Sequence, residues 1–110
     1  VTCFDASNGK QLWQKENTLN LVPAFFTGMS PIITDGLCIV HRGGKGTGEI
    51  SAFETAGGNE KWKWSGEGPS YSSPVLFSLD GKNQLVFVTE KNVVSLNPSD
   101  GRELWRFKLP

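Results

Sequence analysis

Phe4-Asp5-Ala6-Ser7-Asn8-Gly9-Lys10-Gln11-Leu12-Trp13 recurs without a gap as Phe53-Glu54-Thr55-Ala56-Gly57-Gly58-Asn59-Glu60-Lys61-Trp62 and as Leu96-Asn97-Pro98-Ser99-Asp100-Gly101-Arg102-Glu103-Leu104-Trp105. Each copy sets an apolar residue nine positions before a Trp and a Gly four positions before it. The Trp residues are 49 and 43 positions apart. A second marker keeps the same register: Ser30-Pro31 and Ser73-Pro74 are 43 apart, and each Pro lies 22 residues before Phe53 or Leu96. A fixed period of this size is the mark of a repeat architecture.

Each copy reads as a β-hairpin. Asn8-Gly9 and Asp100-Gly101 are turn pairs because Gly, Asn and Asp tolerate positive φ, and Gly57-Gly58 serves the same end. Short apolar strands precede the turns, and a strand carrying the Trp follows. Trp62 and Trp64 share a face, as do Trp105 and Phe107, because strand side chains alternate. Upstream lies a second strand pair: Ser30 to Thr34 and Leu37 to His41 around Asp35-Gly36, then Ser73 to Leu79 and Gln84 to Thr89 around Asp80-Gly81. Leu37-Cys38-Ile39-Val40-His41 aligns with Leu85-Val86-Phe87-Val88-Thr89 in this reading.

Four short antiparallel strands per unit of about 43 residues describe a propeller blade. The expected fold is all-β, a partial β-propeller of about two and a half blades: a half blade at 1–16, a blade at 29–65 and a blade at 71–109. No segment holds apolar residues at helical spacing for three turns, and Pro23 breaks the one ambiguous stretch, Leu19 to Phe26.

Composition limits what such a chain does. Eleven basic and eleven acidic side chains in 110 residues leave a net charge of zero. That balance gives no electrostatic footprint for nucleic acid or an anionic membrane. No apolar run approaches the roughly 20 residues of a membrane span. The chain lacks an initiator Met and a signal peptide and opens on a strand, so it reads as a segment of something larger. Cys3 and Cys38 form no CxxC pair, and His41 is the only His, so a zinc site is not expected. Both thiols are read as small packed residues.

The hairpin resembles the AxDxxTGxxxW tryptophan-docking repeat of pyrroloquinoline-quinone-like (PQQ-like) β-propellers. The matching residues are Cys3-Phe4-Asp5, Gly9 and Trp13; Ala52-Phe53-Glu54, Gly58 and Trp62; and Ser95-Leu96-Asn97, Gly101 and Trp105. The acidic slot departs from Asp in two of the three copies. Residues 28–64 and 66–106 are most similar to uncharacterised secreted bacterial PQQ-like repeat proteins and to BamB-like members. Kelch repeats would want a Gly-Gly doublet in each unit, and WD repeats a Trp-Asp pair; neither pattern holds.

The resemblance implies that Trp13, Trp62 and Trp105 are inter-blade staples resting near the turns of Gly9, Gly58 and Gly101. Trp105→Ala would then cost several kcal/mol if the ring is buried, and Trp64 would pack within its own blade. It also implies a periplasmic or secreted bacterial protein and a non-catalytic binding or scaffold role. The partners are other blades and a protein or small-molecule ligand on a propeller face. The alternative is a piece of a quinoprotein alcohol or sugar dehydrogenase, with PQQ and calcium in the parent chain. Those enzymes hold the quinone with a vicinal Cys pair, which is missing here. No cofactor, metal or catalytic residue is assigned to the segment.

Four residues remain as candidate surface contacts. Arg42 and Lys45 belong to Arg42-Gly43-Gly44-Lys45-Gly46-Thr47-Gly48, which fails both GxxxxGK[ST] and GxGxxG and reads as a flexible hairpin. His41 ends a strand without a nucleophile or carboxylate paired to it by pattern. Tyr71, among Ser70, Ser72 and Ser73, sits in a connector between blades.

Overall fold

The computed structural model describes residues 1–17 and 19–110. Every regular element among them is a strand: β1 Thr2–Phe4, β2 Gln11–Gln14, β3 Ile32–Thr34, β4 Leu37–Gly44, β5 Thr47–Glu54, β6 Glu60–Gly66, β7 Val75–Leu79, β8 Lys82–Val88, β9 Asn92–Leu96 and β10 Glu103–Lys108. They form a two-stranded sheet, β1-β2, and two four-stranded sheets, β3-β4-β5-β6 and β7-β8-β9-β10, all antiparallel. The chain is therefore all-β, a partial propeller. No helix among the described residues is long and apolar enough to cross a membrane.

The turns follow from local chemistry. Asp35 and Gly36 have φ of 48° and 72°, and Asp80 and Gly81 have 50° and 74°. Two successive positive φ values make the mirror-image turn whose twist suits a two-residue hairpin. The docking turns are longer. The amides of Gly9, Gly58 and Gly101 donate to the carbonyls of Asp5, Glu54 and Asn97 at 2.7, 2.7 and 2.8 Å. These glycines sit at φ of 74° to 78°, and the ladder beside each turn is bulged.

The acidic slot has a structural task. Asp5 accepts the Ser7 amide at 2.8 Å and Asn97 accepts the Ser99 amide at 2.9 Å, so each caps its own turn. The bonds from Ser7 hold the Asp5 carboxyl below its usual range. Glu54, one carbon longer, is instead within 3.4 Å of the Asn59 amide group.

Apolar side chains fill the two gaps between sheets. Cys38, Val40 and Phe53 face the β1-β2 sheet, where Trp13 packs on them. Leu37, Ile39, Ile50, Ala52 and Trp62 point the other way and meet Leu85, Phe87, Val94 and Leu96 of the next sheet. Cys3 and Cys38 are free thiols, and burial pushes the Cys38 thiol up, as expected of a packed residue.

The strand register corrects one expectation. Cys38 lies opposite Phe53, and Leu85 lies opposite Leu96. Phe53 and Leu96 are equivalent, so Cys38 corresponds to Leu85, and Leu37 does not. The β7-β8 hairpin is longer than β3-β4 and the β8-β9 hairpin is shorter than β4-β5. The two differences cancel in the overall period and hide the slip. A one-residue slip reverses every side chain between faces.

Candidate functional site

Trp13 and Trp62 make the same contact one sheet apart. The Trp13 indole N–H donates to the Thr55 carbonyl at 2.9 Å, and that of Trp62 donates to the Pro98 carbonyl at 2.9 Å. Each acceptor lies two residues after the apolar marker of the following hairpin. Each ring covers that hairpin's glycine: a Cβ on Gly58 would stand 2.8 Å from Trp13, and one on Gly101 would overlap the Trp62 ring. Glycine is required twice over there, by its φ and by the ring above it. Trp13 also tilts against Phe53, with ring centroids 6.2 Å apart. Trp105 has no turn beneath it in this structure. It is 41% exposed, and its N–H donates to Gln84 Oε1 at 2.8 Å. Gly9 likewise has nothing above it.

Trp64 packs on its own sheet, against His41 and over Gly66, and also reaches the next one. Its N–H donates to Glu103 Oε2 at 3.1 Å, and Arg106 lies over its ring, so it spans the gap to the last sheet. The Arg106 hydrogen bonds and the Trp64 N–H keep the Glu103 carboxyl below its usual range.

Of the four candidate contacts, one is buried and one is half-buried. His41 is 2% exposed, inside β4 and not at its end. Its Nε2 lies 2.9 Å from the Glu67 carbonyl, which fixes the Nε2–H tautomer, and its ring meets Trp64 and Phe87 edge-on. Burial depresses its pKa, outweighing the Glu67 carbonyl and the Glu90 charge. Arg42 is held by the Glu16 carbonyl at 2.7 Å, Ser51 Oγ at 3.1 Å and Glu49 at 3.6 Å, and it stacks on Phe53.

The glycine-rich segment is a hairpin between two strands of one sheet, as its sequence suggested. β4 runs to Gly44, β5 starts at Thr47, and only Lys45 and Gly46 form the turn. The glycines admit close backbone contact: a Cβ on Gly48 would collide with the Glu67 carbonyl, and one on Gly68 with that of Gly44. Here Gly serves close packing, a use that its frequency alone does not separate from looseness.

Pattern reading missed Glu67 as well. Its carboxylate accepts Thr89 Oγ1 and Asn92 Nδ2 at 2.6 Å each and the Lys91 amide at 3.2 Å. Burial would raise its pKa, but these three bonds together outweigh that and hold it low. Glu67 thereby ties the β6–β7 connector to the β8–β9 turn. Its partners lie more than twenty residues away, so no local spacing signals them.

The other two candidates come together. Lys45 and Tyr71 line one open hollow of about 490 Å³ with Pro23, Pro69 and Glu90. The Tyr71 hydroxyl accepts the Phe25 amide at 3.0 Å, and the Phe25 ring lies 6.0 Å from the Tyr71 ring. Val22, Phe25, Phe26 and Tyr71 are all exposed, and Phe26 has a φ of 63°. An exposed aromatic pair beside a hollow is the sort of patch that partners cover. Among the described residues no group of three or more His, Cys, Asp or Glu side chains is placed to hold a metal ion.

No curated protein matches the chain. The sequence profile of the family described as "Outer membrane protein assembly factor BamB" matches residues 1–110, the whole length. Stacked antiparallel sheets and a repeat that sets Trp13 and Trp62 on the next turn agree with that match, and the chain belongs to this BamB-like family of PQQ-like repeats.

Proposed function

We propose that the chain is a non-catalytic binding or scaffold module of a secreted or periplasmic bacterial protein, working in the assembly of other proteins as its family name describes. The observation that carries this reading is how the polar side chains are used. The titratable groups His41, Arg42, Glu49 and Glu67, buried or half-buried, hold strands and connectors together. An exposed aromatic pair, Phe25 and Tyr71, stands beside the hollow that Lys45 and Tyr71 line. Such a surface recognises a protein through buried aromatic anchors, which dominate binding energy at interfaces.

The test has two arms. A photo-crosslinking residue at Phe25 or Tyr71 is expected to capture a component of the outer-membrane assembly machinery in the periplasm, and one at Lys82 is not. Titration with PQQ and calcium, followed by quinone absorbance and by dye reduction with alcohols and sugars, is expected to give neither binding nor turnover. Stoichiometric quinone binding with turnover would overturn the reading in favour of a PQQ-dependent dehydrogenase.

A further inference from the structure

The gap between the two four-stranded sheets is pinned differently at its two ends. At the docking-turn end the Trp62 N–H donates to the Pro98 carbonyl, a bond that does not titrate. At the other end the pins are titratable. His41 Nε2–H donates to the Glu67 carbonyl at 2.9 Å, and the Glu90 carboxylate accepts the Gly46 amide at 2.7 Å. The connector from Glu67 to Pro74 is bonded to the last sheet through Thr89, Asn92 and Val88, and to Phe25 and Ser30. Among the described residues, its side-chain bond to the β3–β6 sheet is the one from His41.

His41 holds this place as a neutral ring. It is 2% exposed, between Trp64 of β6 and Phe87 of β8, with Gly48 and Ile50 of β5 beside it. Its Nδ1 bonds to nothing among the described residues. The charged groups on the packed elements do little for an imidazolium. Glu90, in the β8–β9 turn, favours the charged ring, but burial outweighs it. The Glu67 carboxylate is taken by Thr89, Lys91 and Asn92, and Arg106 of β10 stands over Trp64. A second ring proton therefore puts an N–H without an acceptor, and a charge, into an apolar gap, where both are costly. The ring regains water only by leaving, and leaving frees the Glu67 carbonyl.

We propose that His41 is a proton-operated latch between β4 and the connector that carries Tyr71. Neutral, it keeps closed the end of the gap where Lys45 and Tyr71 line their hollow. When Nδ1 takes a proton from solvent, the ring leaves the gap, the connector parts from β4, and the hollow changes shape. Acid thereby switches off the surface beside Tyr71. That last consequence rests on the binding role proposed above, whereas the latch does not. Histidine suits such a task because its charge changes within the physiological range.

The chain has one His and one Tyr, so each gives a single signal in magnetic resonance. Labelled histidine and fluorotyrosine are followed together from about pH 7.5 down to about 4.5. The Tyr71 signal is expected to move with the His41 midpoint. Below that midpoint the Gly46 amide, corrected for its intrinsic exchange, is expected to lose protection by up to about tenfold per pH unit, while the Gly101 amide at the docking end does not follow. His41→Gln keeps an N–H donor that does not titrate, and both changes are expected to vanish in it. Circular dichroism checks its fold, and His41→Asn replaces it if it is unfolded. A Tyr71 signal that stays fixed while His41 titrates, or that moves equally in His41→Gln, overturns the latch. Photo-crosslinking from Phe25 is expected to fall at least about fivefold between pH 7 and pH 5 in the wild type and to stay level in His41→Gln. Equal capture at both pH values in the wild type overturns the switch. Capture at neither value overturns the binding role, and the Tyr71 and Gly46 signals then decide the latch by themselves.

Discussion

Replacing Trp62 by Ala is the sharpest probe of how the sheets are held. The side chain is 8% exposed, lies in the larger apolar cluster, covers Gly101 and donates to the Pro98 carbonyl. Truncating a buried Trp costs about 3–5 kcal/mol through lost transfer energy and the cavity left behind. The orphaned Pro98 carbonyl places the value at the upper end, about 4–5 kcal/mol. That is a large share of the 5–15 kcal/mol typical of a whole domain. Trp13 makes the same bond but is only half-buried, so Trp13→Ala is expected to cost about 2–3 kcal/mol. Trp105 does not meet the burial condition set from the sequence, and its Ala variant is expected to cost about 1 kcal/mol. Urea unfolding of the three variants, followed by far-ultraviolet circular dichroism at a concentration where the chain is monomeric, gives the comparison. Costs for Trp62→Ala and Trp105→Ala that agree within about 0.5 kcal/mol would refute the claim that burial on the next turn sets the energy.

Two further outcomes follow from the same geometry. Gly101→Ala is expected to cost at least about 2 kcal/mol more than Gly9→Ala: both incur the positive-φ strain, but only Gly101 lies under a ring, and thermal melts of the pair read the difference. His41 is held below its ordinary value near 6.5, so the unfolded chain takes up its proton first as pH falls. Its contribution is complete above about pH 6.5 and declines below it, by at most about 1.4 kcal/mol per pH unit. Because His41 is the only histidine, His41→Gln should flatten stability between pH 6.5 and 5. A wild-type chain equally stable at both pH values would contradict the buried neutral imidazole.

The hairpins were legible in the sequence because their causes are local. Asp35-Gly36, Asp80-Gly81 and the three docking turns announce themselves through residues that accept positive φ, and the Trp spacing fixes the repeat. What the sequence hid is set by partners far along the chain. The β4 to β8 slip was invisible because two hairpin lengths change in opposite senses. His41 and Arg42 look like surface polar residues until Glu67, Glu16 and Ser51 are brought beside them. Trp64 shares a face with Trp62, and that shared face was the available hint that it too reaches the next sheet. Lys45 and Tyr71, 26 positions apart in the chain, meet only because the tip of β4–β5 approaches the connector after β6.

Trp13 and Trp62 each commit both ring and N–H to the turn immediately following, which makes the energetic coupling nearest-neighbour. Opening the β3–β6 sheet then breaks both links, Trp13 to Thr55 and Trp62 to Pro98. Arrays of this kind lose order from their ends inward, with a free energy that is a sum of unit and interface contributions. Of the two links the half-buried Trp13 is the weaker, so the contact between the β1-β2 and β3–β6 sheets lets go before the one made by Trp62. The central sheet, gripped from both sides, is the one whose amide protons should exchange last.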